Sequence, residues 1–168
     1  MKNFLLGIGT TLAVILVGSF AYLRLGFVDV RADVPPGAWE RYWMSSAVRA
    51  SIRRHAPEIP NPLGPTDETL ITGASMYKYQ CALCHGNAGS QKAPEGTPPL
   101  YPEPPHLPTT GTAYSEAQIF WIAKHGIRRT GMVASGAWDS DDQLWALAAY
   151  VKRMNSLPDT VKQRLATK

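Results

Sequence analysis

The only two cysteines of this chain lie three positions apart, and a histidine follows the second one directly: Cys81-Ala82-Leu83-Cys84-His85. Two thiols at this spacing can each add to one vinyl group of a porphyrin, and the adjoining imidazole can then ligate the iron. A thioredoxin-like cysteine pair needs a βαβ setting, and a structural zinc site with about four Cys or His ligands needs a second cysteine pair. The sequence offers neither, so the pattern predicts one covalently attached haem c with Cys81, Cys84 and His85 as binding residues.

A haem iron that only transfers electrons needs a second axial ligand, because two strong protein ligands keep it six-coordinate in both oxidation states. Histidine with methionine is one such pair. Met132 lies in a non-helical stretch between two predicted helices. It follows Gly131, which allows the backbone to approach a haem closely. We therefore predict that His85 and Met132 are the metal ligands.

Three other residues are candidate ligands by residue type. Met154 lies within or just after the terminal helix, where methionine usually fills the core. His125 ends a predicted helix, where it bonds to terminal carbonyls or is protonated. His106 follows two prolines in the segment expected to run along the haem, where a hydrogen bond to a propionate is the structural alternative. His55 precedes the haem domain and is expected to be solvated.

The N-terminal segment from Phe4 to Leu23 contains twenty residues without a charge, and Lys2 and Arg24 flank it. At 1.5 Å per residue, such a helix spans a hydrocarbon core of about 30 Å. Residues 1–24 are therefore expected to form a membrane anchor. A signal peptide is the alternative, with Ser19 and Ala21 at a cleavage site, although its apolar region is usually shorter, about 7–15 residues. Both alternatives export the rest of the chain.

Residues 25–65 form a proline-rich connector with helical character at about 38–56. Trp39 and Trp43 lie along one stripe of that helix, and arginines lie away from it. A basic helix with tryptophans near an anchor can lie on lipid headgroups or dock a partner subunit. Packing against the haem domain is the alternative, and the sequence does not choose among these.

Residues 66–156 are predicted to form the haem domain. Thr66 is a candidate helix N-cap, and Ser115 with Gln118 and Ser140 with Gln143 are candidate capping boxes. The region 86–112 shows neither helical nor strand periodicity, and 157–168 is expected to be a polar tail. Because no segment shows the sustained alternation of a sheet, the fold class is predicted to be all-α.

The charge distribution argues against a nucleic-acid protein. The net charge is +4, and the 17 Lys and Arg residues are dispersed along the chain. Some of them lie near the haem-bearing segments, where they could form a rim that steers acidic partners; the alternative is a generally basic surface. These residues are Lys78, Lys92, Lys124, Arg128 and Arg129.

Residues 66–156 resemble the class I cytochromes c of the bacterial, membrane-associated kind. The resemblance rests on Gly73 and Tyr77, the motif from Cys81 to Gly86, Pro98-Pro99-Leu100, Gly131-Met132, and the closing helix with Leu144, Leu147 and Tyr150. It implies a class I cytochrome c fold in which the first and last helices cross closely. It also implies that a carbonyl of Pro98 or Pro99 bonds to the His85 ring. Attachment of haem c occurs outside energy-transducing membranes, so the haem domain is expected in the periplasm, with the anchor crossing the bacterial inner membrane once.

One-electron transfer to and from redox partner proteins is therefore the expected function, without an enzyme site of the chain's own. A permanent haem subunit of a membrane dehydrogenase or oxidase complex is the alternative. A haem catalyst or gas sensor with an open iron position is a third. The sequence contains no paired carboxylates, activated nucleophile or phosphate-binding glycine loop that would indicate an independent active site.

Overall fold

A computed structural model describes residues 1–31, 34–87 and 100–167. They form eight α-helices: α1 Lys2–Arg24, α2 Ala38–His55, α3 Asp67–Met76, α4 Ala82–His85, α5 Leu107–Thr110, α6 Glu116–His125, α7 Asp141–Arg153 and α8 Asp159–Ala166. A π-helical turn, Tyr77–Cys81, and a 3₁₀ turn, Ser135–Ala137, complete the helical elements. The described residues contain no strand, so the prediction of an all-α fold is confirmed. The chain divides into two compact units, Met1–Val34 and Pro35–Lys168.

The first unit consists mainly of α1, which is long and apolar enough to cross a membrane. No residue of α1 is buried within the protein. Its two threonines bond within the helix, Thr10 Oγ1 to the Leu6 carbonyl and Thr11 Oγ1 to the Gly7 carbonyl, each at 3.0 Å. Hydroxyls satisfied in this way need no water, which suits a hydrocarbon environment. Length, composition and internal bonding thus all suit a membrane-spanning helix.

The core of the second unit is the crossing of α3 and α7. Thr66 caps α3 by accepting a hydrogen bond from the Thr69 backbone N–H, as predicted. Leu70 on α3 and Leu144 on α7 are fully buried. A Cβ added to Gly73 would lie 2.1 Å from the Ala146 carbonyl oxygen. The two helices therefore approach so closely that only glycine fits at this point.

Helix α6 also packs against α7. Both helices begin with the predicted capping boxes, at Ser115 and Ser140. The rings of Phe120 and Trp145 stack at a centroid distance of 4.2 Å and an angle of 6°. This stacking of two large rings joins α6 to α7 within the buried core. It holds the loop that follows α6 close to the α3–α7 pair.

Helix α2 contacts the rest of the unit through its C-terminal half. Ile52 is buried, and the His55 ring stacks on the Trp121 ring of α6 at 6.1 Å. Trp39 and Trp43 are exposed. Trp39 and Trp43 therefore do not pack against the haem domain. Only the C-terminal end of α2, at Ile52 and His55, packs in that way.

The proline-rich segment after α2 also belongs to the second unit. Asn61 Nδ2 donates to Glu116 Oε2 at 2.7 Å and to the Trp145 carbonyl at 3.0 Å. Glu116 in turn pairs with Arg153 at 2.5 Å. One amide thus ties the segment to the beginning of α6 and to the middle of α7.

Residues 157–168 differ from the polar tail that the sequence suggested. Residues 159–166 form α8, in which Val161 is fully buried. Val161 packs with Leu70, Ile71 and Ala149. Leu165 lies one turn later on the same face and packs against the same cluster. Two apolar residues at this spacing are sufficient to dock a short helix whose other positions are polar.

Candidate haem site

The cysteine motif is built on a change in helical geometry. Helix α3 runs directly into the π-helical turn Tyr77–Cys81, and α4 then holds the rest of the motif, Ala82–His85. A π-helical turn inserts one extra residue and rotates the side chains that follow it, which is why such turns often occur at functional sites. Gly86 ends α4 with a φ of +86°, a conformation that glycine adopts without strain. Both cysteines and the histidine therefore lie on one short rigid segment.

Tyr77 fixes the end of this segment through its hydroxyl. The hydroxyl donates to the Gly86 carbonyl at 2.7 Å and approaches the His85 carbonyl at 3.2 Å. Burial raises the pKa of Tyr77 well above its ordinary value. The phenol therefore stays a neutral donor, and it satisfies backbone carbonyls that α4 leaves without a helical partner.

The His85 ring is oriented by a backbone carbonyl. Its Nδ1 donates to the Pro105 carbonyl oxygen at 2.9 Å. Burial lowers the pKa of His85, and the hydrogen bond to Pro105 partly offsets this. The ring is thus held as a neutral imidazole whose other nitrogen, Nε2, is the one suited to ligate a metal. Pro98 and Pro99, the acceptors that the resemblance implied, lie outside the described residues.

The residue after this proline also contacts the motif. A Cβ added to Gly86 would lie 2.1 Å from His106 Nε2, so the His106 ring packs directly on the Gly86 backbone. His106 Nδ1 bonds with Thr109 Oγ1 at 2.8 Å. Pro105 and His106 together therefore hold the end of the cysteine motif on two sides.

Both cysteines are partly buried and unpaired with each other. Burial raises the pKa of Cys81 to about 12, and the charges of Asp139 and Cys84 act in the same direction. Asp139 Oδ1 accepts a hydrogen bond from Gln80 at 3.2 Å. Its Oδ2 is buried and has no hydrogen-bond partner among the described residues. The surroundings of Cys81 thus suit a neutral thiol or thioether and include one unsatisfied carboxylate oxygen.

Met132 lies in the loop between α6 and the 3₁₀ turn, and it is half-buried. Its carbonyl accepts from the Ile127 N–H at 3.0 Å, and its own N–H donates to Thr130 Oγ1 at 3.0 Å. A Cβ added to Gly131 would lie 2.6 Å from Leu100 Cδ1. The backbone on each side of Met132 is therefore fixed by the loop itself and by the close approach of Leu100.

The chemistry of these residues fits a covalent haem. The segments contain two thiols, a neutral imidazole with Nε2 available, and a thioether in an ordered loop. Apolar side chains beside these residues in sequence are largely exposed, at 59% for Leu83, 62% for Val133 and 64% for Trp138. These are surfaces that a porphyrin could cover. Within the described part of the chain, no group of three or more His, Cys, Asp or Glu side chains could hold a bare metal ion.

Comparison with known proteins agrees with this chemistry. Residues 68–151 match the family model described as cytochrome c oxidase, cbb3-type, subunit III. The chain belongs to the c-type cytochromes. This cytochrome is 30% identical over 123 residues to the thiosulfate dehydrogenase of Stutzerimonas stutzeri (strain A1501), an alignment that covers 66% of this chain. It spans only 36% of that relative's length. No solved structure matched the chain.

Haem-based electron transfer is therefore the function of this cytochrome. The match covers α3 to α7, including the cysteine motif and the Met132 loop. It begins after α2 and ends before α8. Helices α1 and α2 thus lie outside the matched region.

The other candidate ligands, Met154 and His125, each contact neighbouring side chains, as does His55. Met154 packs against the buried core, as predicted. His125 is exposed at the end of α6, with its ring 5.2 Å from the Trp121 ring. His55 is exposed, as predicted, and its ring stacks on the same Trp121 ring at 6.1 Å. Core packing at Met154 and ring contacts with Trp121 at both histidines give each of these side chains a contact within the protein.

The five basic residues near the haem-bearing segments differ in their surroundings. Lys124 Nζ pairs with Asp141 at 2.6 Å. Lys78, Arg128 and Arg129 are exposed, and Lys92 lies outside the described residues. Three of the five residues are therefore exposed in the part of the chain that the structure describes, as a surface that steers acidic partners would require.

Sequence reasoning missed three contributors to the site: Tyr77 as a hydrogen-bond donor, Pro105 as the acceptor for His85, and Asp139 beside Cys81. Pro105 was within reach, because Pro104-Pro105 stands directly before His106 in the loop. Asp139 carries no sequence signal, since its approach to Cys81 depends on how the 3₁₀ turn packs.

Proposed function

We propose that this cytochrome carries one haem c, attached through Cys81 and Cys84, with His85 and Met132 as axial ligands of the iron. Its role is to relay single electrons between redox partners at the periplasmic face of the bacterial inner membrane. The haem, when bound, supplies the Fe(III)/Fe(II) couple. Thioether ligation favours the ferrous state, so we expect a fairly high potential.

The observation that carries the proposal is the hydrogen bond between His85 Nδ1 and the Pro105 carbonyl at 2.9 Å. It commits one ring nitrogen to the protein and leaves Nε2 for the metal. It also fixes the tautomer and the orientation of the ring, and it increases the basicity of the ligand. An imidazole held in this way, directly after two thiols, is prepared for ligation before any metal arrives.

Met132 is suited to the second position because its backbone is fixed. The hydrogen bonds to Ile127 and Thr130 bracket it. A ligand whose loop is already ordered loses little further entropy on coordination. Such a ligand can remain bound in both oxidation states, which keeps the reorganisation on electron transfer small.

Helix α1 supports the proposed location. It is long and apolar enough to cross a bilayer once. We infer that it stays attached as an anchor, because its apolar region exceeds the usual length of a signal peptide. Covalent haem attachment in the periplasm, as expected for the c-type cytochromes, then places the second unit on that side.

A permanent haem subunit of a larger complex is a second candidate. It is favoured by the family model, whose description is that of an oxidase subunit, and by the similarity to a thiosulfate dehydrogenase. Purification from its own membranes distinguishes the candidates. A stoichiometric set of co-purifying subunits would indicate a complex, whereas a cytochrome that elutes alone would indicate a free carrier.

The site is tested by absorption spectroscopy after expression in a host that matures haem c. We expect ferric protein to show the weak far-red band of Met–iron ligation. Met132→Ala should lose this band, and Met154→Ala should retain it because Met154 packs in the core. A denaturing gel stained for haem peroxidase activity tests covalent attachment, which Cys81→Ala and Cys84→Ala should each weaken. A high-spin native spectrum would refute Met132 ligation and would favour catalysis or gas sensing.

A further inference from the structure

The N-terminal half of α2 exposes an aromatic cluster formed by Trp39, Tyr42 and Trp43. These residues are spaced by three and four positions, so they share one side of the helix. Their exposed fractions are 75%, 63% and 51%. The Trp43 ring lies 5.4 Å from the Trp39 ring and 5.5 Å from the Tyr42 ring. Three aromatic side chains thus form one continuous apolar surface that faces away from the core.

The opposite side of α2 faces the protein. Ile52 follows Trp43 by about two and a half helical turns, which places the two residues on opposite sides of the helix. Ile52 is only 1% exposed. The contact through Ile52, together with the stacking of His55 on Trp121, therefore holds the helix so that the aromatic cluster points outward.

Positive charge accompanies the aromatic cluster. Arg49, Arg53 and Arg54 are exposed, and none of them forms an ion pair with any residue that the structure describes. Glu40 is the acidic residue of the helix. An exposed surface with tryptophan and tyrosine rings at one end and arginines at the other matches the water–lipid boundary, where aromatic rings lie at headgroup depth and arginines meet anionic headgroups.

The position of α2 in the chain favours lipid over a partner protein. Residues 25–37 separate it from α1, the candidate membrane span. At no more than about 3.5 Å per residue, this segment extends at most about 45 Å. An anchored chain therefore keeps α2 close to a bilayer at all times.

We propose that α2 is an interfacial membrane helix, which buries Trp39, Tyr42 and Trp43 in the headgroup region of the bilayer that α1 crosses. The proposal rests on the proposed anchoring by α1. Its consequence is orientation: a rigid helix lying on the membrane restricts the rotation of the haem domain to which Ile52 connects it.

The test uses the full-length holoprotein in nanodiscs of phosphatidylcholine with phosphatidylglycerol. A nitroxide is attached at Ala47→Cys, one turn after Trp43 on the same side of α2, where it leaves the aromatic cluster intact. The control label is at Gln163→Cys, which is exposed on α8. Power saturation compares the access of oxygen, which concentrates in lipid, with that of a water-soluble nickel chelate. We expect an oxygen-to-nickel ratio several-fold higher at position 47 than at position 163.

Further variants separate the causes. Replacing Trp39, Tyr42 and Trp43 together by serine should lower the ratio at position 47 to that of the control, while the ferrous haem spectrum stays unchanged. Equal ratios at the two positions in the native protein would overturn the proposal, although co-elution with the nanodisc would still support the anchor. Protection of position 47 from both reagents would also overturn it, because that result indicates a protein partner. A chain that elutes without lipid would refute the anchor and this proposal together.

Discussion

Replacement of Gly73 by alanine should destabilise the cytochrome, although alanine is the better helix former. The added Cβ would lie 2.1 Å from the Ala146 carbonyl oxygen and 2.7 Å from Tyr150 Cβ. Ordinary contacts begin near 3.4 Å. The first obstacle is backbone, which cannot rotate away as a flexible side chain can. Helices α3 and α7 must therefore move apart by more than about 1 Å, a gap that forfeits up to half of the dispersion energy of each affected contact.

The magnitude follows from two opposing effects. Overpacking of a core typically costs about 1–3 kcal/mol, and occasionally more. The gain in helix propensity from glycine to alanine is about 1 kcal/mol. Because the crossing involves fully buried residues such as Leu70 and Leu144, we expect the cost to lie at or above the upper end. The net loss in the free energy of unfolding is then about 2 kcal/mol, or about 4–8 °C in melting temperature for a chain of this size.

The assay is guanidinium unfolding of the detergent-solubilised holoprotein, followed by circular dichroism. Thr72→Ala is the control, because Thr72 is exposed on the same helix and gains in propensity without a new contact. Its midpoint should equal or exceed that of the native protein. If Gly73→Ala behaves in the same way as Thr72→Ala, the close crossing of α3 and α7 is refuted.

Three further predictions concern the surroundings of the site. Gly86→Ala should lower the melting temperature of the holoprotein, because the φ of +86° is strained for alanine and the added Cβ meets the His106 ring. Adding His106→Ala should recover only part of this loss. Full recovery would show that the backbone strain is negligible. Asn61→Ala should lower the free energy of unfolding in guanidinium by about 1–3 kcal/mol, because Glu116 loses a hydrogen-bond donor. An unchanged midpoint would show that this hydrogen bond does not hold the proline-rich segment in place. Burial raises the pKa of Tyr150, so the unfolded chain releases this proton first as pH rises, and the stability that the neutral phenol contributes below pH about 10 is lost above it. Tyr150→Phe should therefore lose less stability than the native protein between pH 9 and 11, as measured by thermal melts.

The parts of the fold that sequence could predict are those specified by neighbouring residues. The capping boxes at Ser115 and Ser140 depend on side chains three positions apart. The N-cap at Thr66 is equally local. The long apolar helix α1 needed only a count of uncharged residues. In each case the physical cause lies within one helical turn or one continuous segment, so the sequence alone contains it.

Features that depend on packing between distant segments could not be predicted from the sequence. Val161 is buried only because Leu70 and Ala149 meet there, and a short helix with mostly polar residues gives a weak signal. Lys124 forms an ion pair with Asp141 on another helix. Such contact partners depend on the tertiary fold, and the spacing of residues along the chain does not predict them.

The candidate site divides in the same way. Cys81, Cys84 and His85 follow from a five-residue pattern, and their roles, like that of Met132, stay predictions until the spectra are measured. The acceptor for the His85 ring is different, because every residue has a carbonyl and composition does not distinguish one from another. The fixed φ of proline favours it as the acceptor residue. Which of several prolines accepts the bond depends on the path of the loop past His85, and that path is set by tertiary contacts.

The contacts of Pro105 with His85 and of His106 with Gly86 close the chain between positions 87 and 104 at its base. Once a loop is closed, doubling its length costs only about 0.6 kcal/mol. The ring of His85 therefore keeps its hydrogen bond whether the intervening chain is long or short. Insertions between positions 87 and 100 should therefore cost little in loop-closure entropy, whereas exchange of Leu100 should disturb the backbone beside Met132. Descendants of this cytochrome can consequently acquire new recognition surfaces there while they inherit the same iron site.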